Sequence, residues 1–128
     1  MSTPDEKKIL RILEHIYAYD MYLSSEKTVA PEFHPSFQMA LPQIDGRTGR
    51  IVDTQWIKPE PGRRSQPKAL EETTSFDFDV VDITGKVAVG KVIVRMGGTL
   101  TYTDYILLMK IDGEWRMIGK VFHTHALR

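Results

Sequence analysis

At 128 residues the chain is long enough for one hydrophobic core and too short for two, so a single domain over residues 1–128 is expected. Seventeen basic residues balance seventeen acidic ones; no global field exists to draw in DNA, RNA or an anionic membrane, and neither nucleic acid nor membrane is expected as a partner. Cysteine is absent, which excludes disulfides and thiol chemistry.

From Asp5 to Leu23 the apolar residues Ile9, Ile12, Leu13, Ile16, Tyr17 and Leu23 recur at helical spacing. Thr3 or Ser2 is placed to cap this helix, and Ser24-Ser25 ends it or opens a short second helix toward Ala30. Met1 to Arg11 is polar where a signal peptide needs an apolar core, and no run approaches the roughly 18 apolar residues of a membrane span. A cytoplasmic protein is therefore expected. Asp20 lies four residues after Ile16, at the edge of the apolar stripe. A carboxylate there either faces water at the helix end or sits in a cavity with a raised pKa.

Phe33-His34-Pro35 reads as a bend, Phe37 to Ile44 as a strand, Asp45 to Gly49 as a turn, and Arg50 to Lys58 as a strand carrying Val52 and Trp56. Pro59 to Ser65 is a loop rich in breakers, and Pro67 to Glu72 fits one helical turn. The pattern then becomes regular. Thr74 to Ile83 turns at Thr84-Gly85, Lys86 to Met96 turns at Gly97-Gly98, and the strand from Thr99 to Ile111 turns at Asp112-Gly113 into Glu114 to Thr124. Together these segments predict a four-stranded antiparallel meander.

With Ile111 opposite Glu114, the pairs step outward as Lys110 with Trp115, Leu108 with Met117, Ile106 with Gly119, Asp104 with Val121, and Tyr102 with His123. Alternation then puts Tyr102, Asp104, Ile106, Leu108, Trp115, Met117, Val121 and His123 on one face, and Tyr105, Leu107, Met109, Ile111, Arg116, Ile118, Lys120 and Phe122 on the other. If Met96 pairs with Thr99, Lys91 falls opposite Asp104 and Ile93 opposite Tyr102.

The candidate catalytic residues are His123, Asp104 and Tyr102. An imidazole can move a proton, a neighbouring carboxylate can orient it, and a phenol can donate to a developing enolate. The plainer alternative pairs Asp104 with Lys91 or Lys110 and packs His123 on Tyr102. Tyr17, Asp20, Phe33, Phe37, Trp56 and Trp115 are the candidate pocket residues; Phe33, Phe37, Trp56, Tyr105 and Trp115 are the aromatics suited to line an apolar pocket for a flat ring compound, although aromatics equally fill a small core. His123 and His125 share a strand face, and His34 or His15 supplies no third ligand with a signature, so no metal site is expected. Phosphate loops, nucleophile elbows and dinucleotide fingerprints are absent, and no cofactor is expected.

Phe33-His34-Pro35, Asp82 to Ala88, Tyr102-Thr103-Asp104-Tyr105, the run Leu108 to Arg116, and Gly119-Lys120-Val121-Phe122-His123 form a combination that resembles the putative lumazine-binding family of the nuclear transport factor 2-like superfamily. That superfamily also holds ketosteroid isomerases, scytalone dehydratase and polyketide cyclases. The resemblance is specific over residues 79–123 and loose before them. It implies an α+β, cystatin-like cone: an N-terminal helix or helices packed in a strongly curved antiparallel sheet of four or more strands, with a pocket between them and a homodimer formed through the outer sheet face. It makes Tyr17 the positional counterpart of the first-helix tyrosine that serves ketosteroid isomerases as an oxyanion donor, while their general-base aspartate has no counterpart. Where the family pattern has a glycine and an acidic residue, this chain has Ala18-Tyr19-Asp20-Met21-Tyr22. The implied function is binding of a small apolar or aromatic molecule. The alternatives are an isomerase or dehydratase using the His/Asp/Tyr set, and a protein-interaction module with no ligand.

Overall fold

A computed structural model describes residues 3–23, 30–59 and 73–125. Helix α1 (Pro4–Arg11) continues through two wider, π-helical turns, Ile12–Tyr17 and Tyr19–Leu23. Six strands follow: β1 (Phe33–Ile44), β2 (Ile51–Ile57), β3 (Thr74–Thr84), β4 (Val87–Met96), β5 (Thr99–Ile111) and β6 (Glu114–Thr124). They form one sheet in the order β2-β1-β6-β5-β4-β3, so β3 to β6 are the expected antiparallel meander. The β1–β2 hairpin joins it through a parallel contact between β1 and β6. The sheet is curved and unclosed, with the helix against its inner face. No described helix is long and apolar enough to cross a membrane.

Thr3 caps the helix by a reciprocal pair: its hydroxyl accepts from the Glu6 amide at 3.1 Å, and the Glu6 carboxylate accepts from the Thr3 amide at 3.5 Å. Asp5 ties this end to the sheet by accepting from the Trp115 indole at 3.0 Å and from Lys110 at 3.3 Å. The indole hydrogen bond, aided by Lys110 and opposed by partial burial, holds the Asp5 carboxyl below its ordinary pKa. Ile9, Ile12, Leu13, Tyr17, Met21 and Tyr22 then bury against Val92, Val94, Ile106, Leu108, Trp115 and Met117. Gly90 permits this approach, because a Cβ there would lie 2.8 Å from Leu13 Cδ1.

At Asp112-Gly113 both residues have positive φ, 51° and 79°, as the expected two-residue turn requires. Beyond it the register departs from simple alternation. Leu108 pairs with Met117 but Leu107 pairs with Gly119, leaving Ile118 as a β-bulge. Every later residue of β6 is thereby reversed. Asp104 lies opposite Phe122 rather than Val121, and Tyr102 opposite Thr124 rather than His123. Lys120 is buried, whereas Val121 and His123 are exposed. A second bulge at Thr101 shifts β4 against β5, so Val92 rather than Lys91 faces Asp104, and Val94 rather than Ile93 faces Tyr102. The expected bend at Phe33-His34-Pro35 is also corrected, since these residues open β1. Pro35 falls in the gap between the Phe33 and Gln38 pairings with β6, where a missing N–H breaks no ladder bond. The expected second helix after Ser24, most of the Pro59–Ser65 loop and the Pro67–Glu72 turn lie outside the described residues.

Candidate functional site

Asp104 is completely buried in the middle of β5, on the face that meets the helix. Its Oδ2 accepts hydrogen bonds from the hydroxyls of Tyr17, at 2.7 Å, and Tyr22, at 2.6 Å, and lies 3.7 Å from Lys120 Nζ. Its Oδ1 has no hydrogen-bonding partner among the described residues.

Two local irregularities assemble this group. In an α-helix, residues five apart are turned about 140° from one another, so Tyr17 and Tyr22 would diverge. The π-helical turns, marked by the bond from the Ala18 amide to the Leu13 carbonyl, widen the helix and aim both phenols at one oxygen. The Ile118 bulge does the equivalent in the sheet. It swings Lys120 from the outer face to the inner one, where the residue is 2% exposed. Its ammonium lies 5.3 Å from the Tyr17 ring centroid, 5.7 Å from that of Tyr22 and 5.2 Å from that of Phe122. Three aromatic faces and a carboxylate thus compensate a cation removed from water.

The electrostatics keep the phenols as donors. Burial first, then the negative charge of Asp104, then the Tyr22 contact push the Tyr17 hydroxyl well above its ordinary pKa. Tyr17 therefore stays protonated at physiological pH. The half-buried rings of Phe76, Tyr102 and Phe122 border the cluster: Tyr22 packs on Phe76 and Tyr102 at 5.7 and 6.1 Å, and Phe122 meets Tyr102 edge-on at 6.2 Å. One carboxylate oxygen thus takes both phenol donors, and the other accepts no hydrogen bond among the described residues.

Of the expected catalytic trio, Tyr102 and Asp104 share the inner face, but His123 points outward. There it packs edge-on against His125 at 4.7 Å, and His125 Nε2 lies 2.8 Å from the Thr103 hydroxyl. The expected Tyr102–Asp104–His123 grouping is corrected on this point, the reversal at Ile118 being the cause. Asp104 pairs with Lys120 and not with Lys91 or Lys110; Lys110 is bound to Asp5. Of the expected pocket residues, Tyr17 reaches Asp104, and Phe33, Phe37 and Trp115 are buried core. Trp56 is 52% exposed on β2. Asp20 accepts from the Ala30 amide at 3.3 Å, tying the helix end to the entry of β1. Among the described residues no three His, Cys, Asp or Glu side chains are grouped to hold a metal ion. Sequence reasoning missed Tyr22 and Lys120. The signal for Lys120 was Gly119, since a lone glycine within a strand pattern marks a bulge; for Tyr22 the helical spacing carried none.

The family model described as Putative lumazine-binding matches residues 4–123. The chain is similar over 98% of its length to a nuclear transport factor 2-like protein of unknown function from Methylobacillus flagellatus KT, at 23% identity, 96% coverage of that chain and a TM-score of 0.61. A second such protein of unknown function, from Shewanella baltica OS155, is similar over 99% of this chain and 100% of its own, at 16% identity and a TM-score of 0.57. These likenesses show the fold. Over 49 residues the chain is 40% identical to Aldolase FrzH from Cladobotryum sp, a stretch that covers 38% of this chain and 39% of that protein.

Proposed function

The chain belongs to the Putative lumazine-binding family, and from that premise we propose that it binds a small apolar or aromatic molecule between the N-terminal helix and the curved sheet. The observation that carries this reading is the completely buried Asp104, whose Oδ1 has no partner among the described residues. A buried acceptor left without a hydrogen bond costs about 1–3 kcal/mol, and more when charged. A buried ion pair is commonly no more stabilising than apolar side chains of the same volume. Folding alone therefore supplies no reason to keep this cluster, whereas a ligand polar group on Oδ1, with its ring against Phe76, Tyr102 and Phe122, does.

The test is a thermal-shift screen of flat ring compounds, lumazine among them, with native mass spectrometry on the gently purified protein. Saturation at 100 times Kd adds about 2.7 kcal/mol of stability, a rise of several degrees in Tm. The expected result is stabilisation by ring compounds that is lost in Asp104→Leu. No stabilisation by any ring compound, and no ligand mass on the native protein, overturns the reading.

The aldolase match and the buried Lys120–Asp104 pair favour a second reading, an isomerase or lyase acting beside a carbonyl. In that case the reacting set is Asp104, Lys120, Tyr17 and Tyr22 rather than one containing His123. The outer sheet face, where Tyr105, Leu107, Met109 and Val121 are exposed, is the surface through which a homodimer would form.

A further inference from the structure

Building on the proposed ligand site, we infer that the group anchoring the ligand is an uncharged hydrogen-bond donor, an N–H or O–H on a flat ring such as a lactam, imide or phenol, donated to Asp104 Oδ1. The lone pairs of the carboxylate set this requirement. Tyr17, Tyr22 and Lys120 all address Oδ2, so Oδ1 offers acceptance alone, and a ligand satisfies it only by donating.

Charge narrows the class. Asp104 and Lys120 form a balanced pair in a site where Asp104 is 0% and Lys120 2% exposed. A cationic ligand would leave one positive charge in excess there, and a carboxylate ligand would set two carboxylates against each other at Oδ1. Either arrangement buries an uncompensated charge, whereas a neutral donor leaves the balance intact. The pair is also fixed in place. Lys120 is enclosed by the rings of Tyr17, Tyr22 and Phe122, and both phenols hold the carboxylate in one orientation. The half-buried rings of Phe76, Tyr102 and Phe122 add the preference for a flat partner.

Titration calorimetry with a matched set of naphthalenes tests the inference: naphthol, the donor-less parent naphthalene, the capped methoxynaphthalene, anionic naphthoate and cationic naphthylmethylammonium. Naphthol is expected to bind about ten- to a hundredfold more tightly than naphthalene or methoxynaphthalene, and both charged compounds more weakly than naphthol. Equal affinity for naphthol and naphthalene, or a preference for either charged compound, overturns the inference and leaves ring binding standing. If none of the five binds, the ring-binding reading falls and the inference falls with it.

Asp104→Asn sharpens the test. The two tyrosine hydroxyls require an oxygen, so the amide must turn its carbonyl toward them and present its N–H at the former Oδ1 position. The variant is expected to lose the preference for naphthol and to favour the ether oxygen of methoxynaphthalene; an unchanged preference contradicts the assignment. If that variant does not fold, carbon NMR of the wild-type protein labelled at the aspartate carboxyl carbons decides. Naphthol should shift one buried carboxyl resonance and naphthalene should not; an equal effect of both rejects Asp104 as the anchor.

Discussion

The inner face of the β5–β6 hairpin has two halves that lie on the same strands, against the same helix, and differ in character. Near the Asp112-Gly113 turn, Ile106, Leu108, Trp115 and Met117 meet Ile9 and Leu13 as an apolar core whose burial drives folding. Past the Ile118 bulge, Asp104 and Lys120 occupy equally buried positions under Tyr17 and Tyr22, with one carboxylate oxygen unpartnered among the described residues. The first half stabilises the fold, while the second uses that rigidity to hold charges out of water. The contrast puts the candidate site at the place where the local rules of strand and helix are both interrupted.

The largest expected effect comes from splitting the buried pair. Lys120→Met leaves Asp104 without its cation and is expected to cost about 3–5 kcal/mol, read from urea denaturation. Replacing the whole polar set, Asp104→Leu and Lys120→Met with Tyr17→Phe and Tyr22→Phe so that neither buried hydroxyl is left without its acceptor, should recover that loss and match or exceed wild-type stability by about 1–4 kcal/mol. Failure of the quadruple variant to recover would make the polar half structural and dissolve the distinction. In the apolar half, Leu108→Ala is expected to cost about 2–5 kcal/mol without any effect on the Lys120–Asp104 contact. Loss of ligand-induced stabilisation in that variant, while it stays folded, would show that the two halves are coupled.

The smallest effect is a pH dependence that separates the halves without changing shape. The pKa of Tyr17 is raised in the folded state, so the folded protein holds this proton more tightly than the unfolded chain. The associated stability is fully present below the unfolded value of about 10 and is lost as pH rises through the folded one. Stability should fall by about 1.4 kcal/mol per pH unit above pH 10 from this group. Tyr17→Phe should remove that slope, while Leu108→Ala should retain it. Tyrosinate absorbance during the titration checks which phenols ionise before unfolding.

Much of this molecule is legible in its residues. The cap at Thr3, the Ile9–Leu13–Tyr17 stripe, the three hairpin turns and the shared face of Tyr102 and Asp104 all arise from local chemistry: side-chain oxygens near amides, 3.6-residue and two-residue periods, and glycines with positive φ. Residues beyond a bulge, such as Lys120 and His123, are not legible in the same way. A single extra residue reverses every later side chain, and whether the strand accommodates it depends on what lies across from it.

The sequence by itself thus determined the helix, the meander and its turns, the membership in a cone-shaped α+β fold, and the candidacy of Tyr17 and Asp104. Only the tertiary structure decided that Lys120 and Tyr22 join them, that His123 faces outward, and that Trp56 stands apart. The physical reason is that periodicity is a property of short stretches of chain. The Ile118 bulge and the π-helical turns exist only where packing between helix and sheet offsets the local cost of breaking that period.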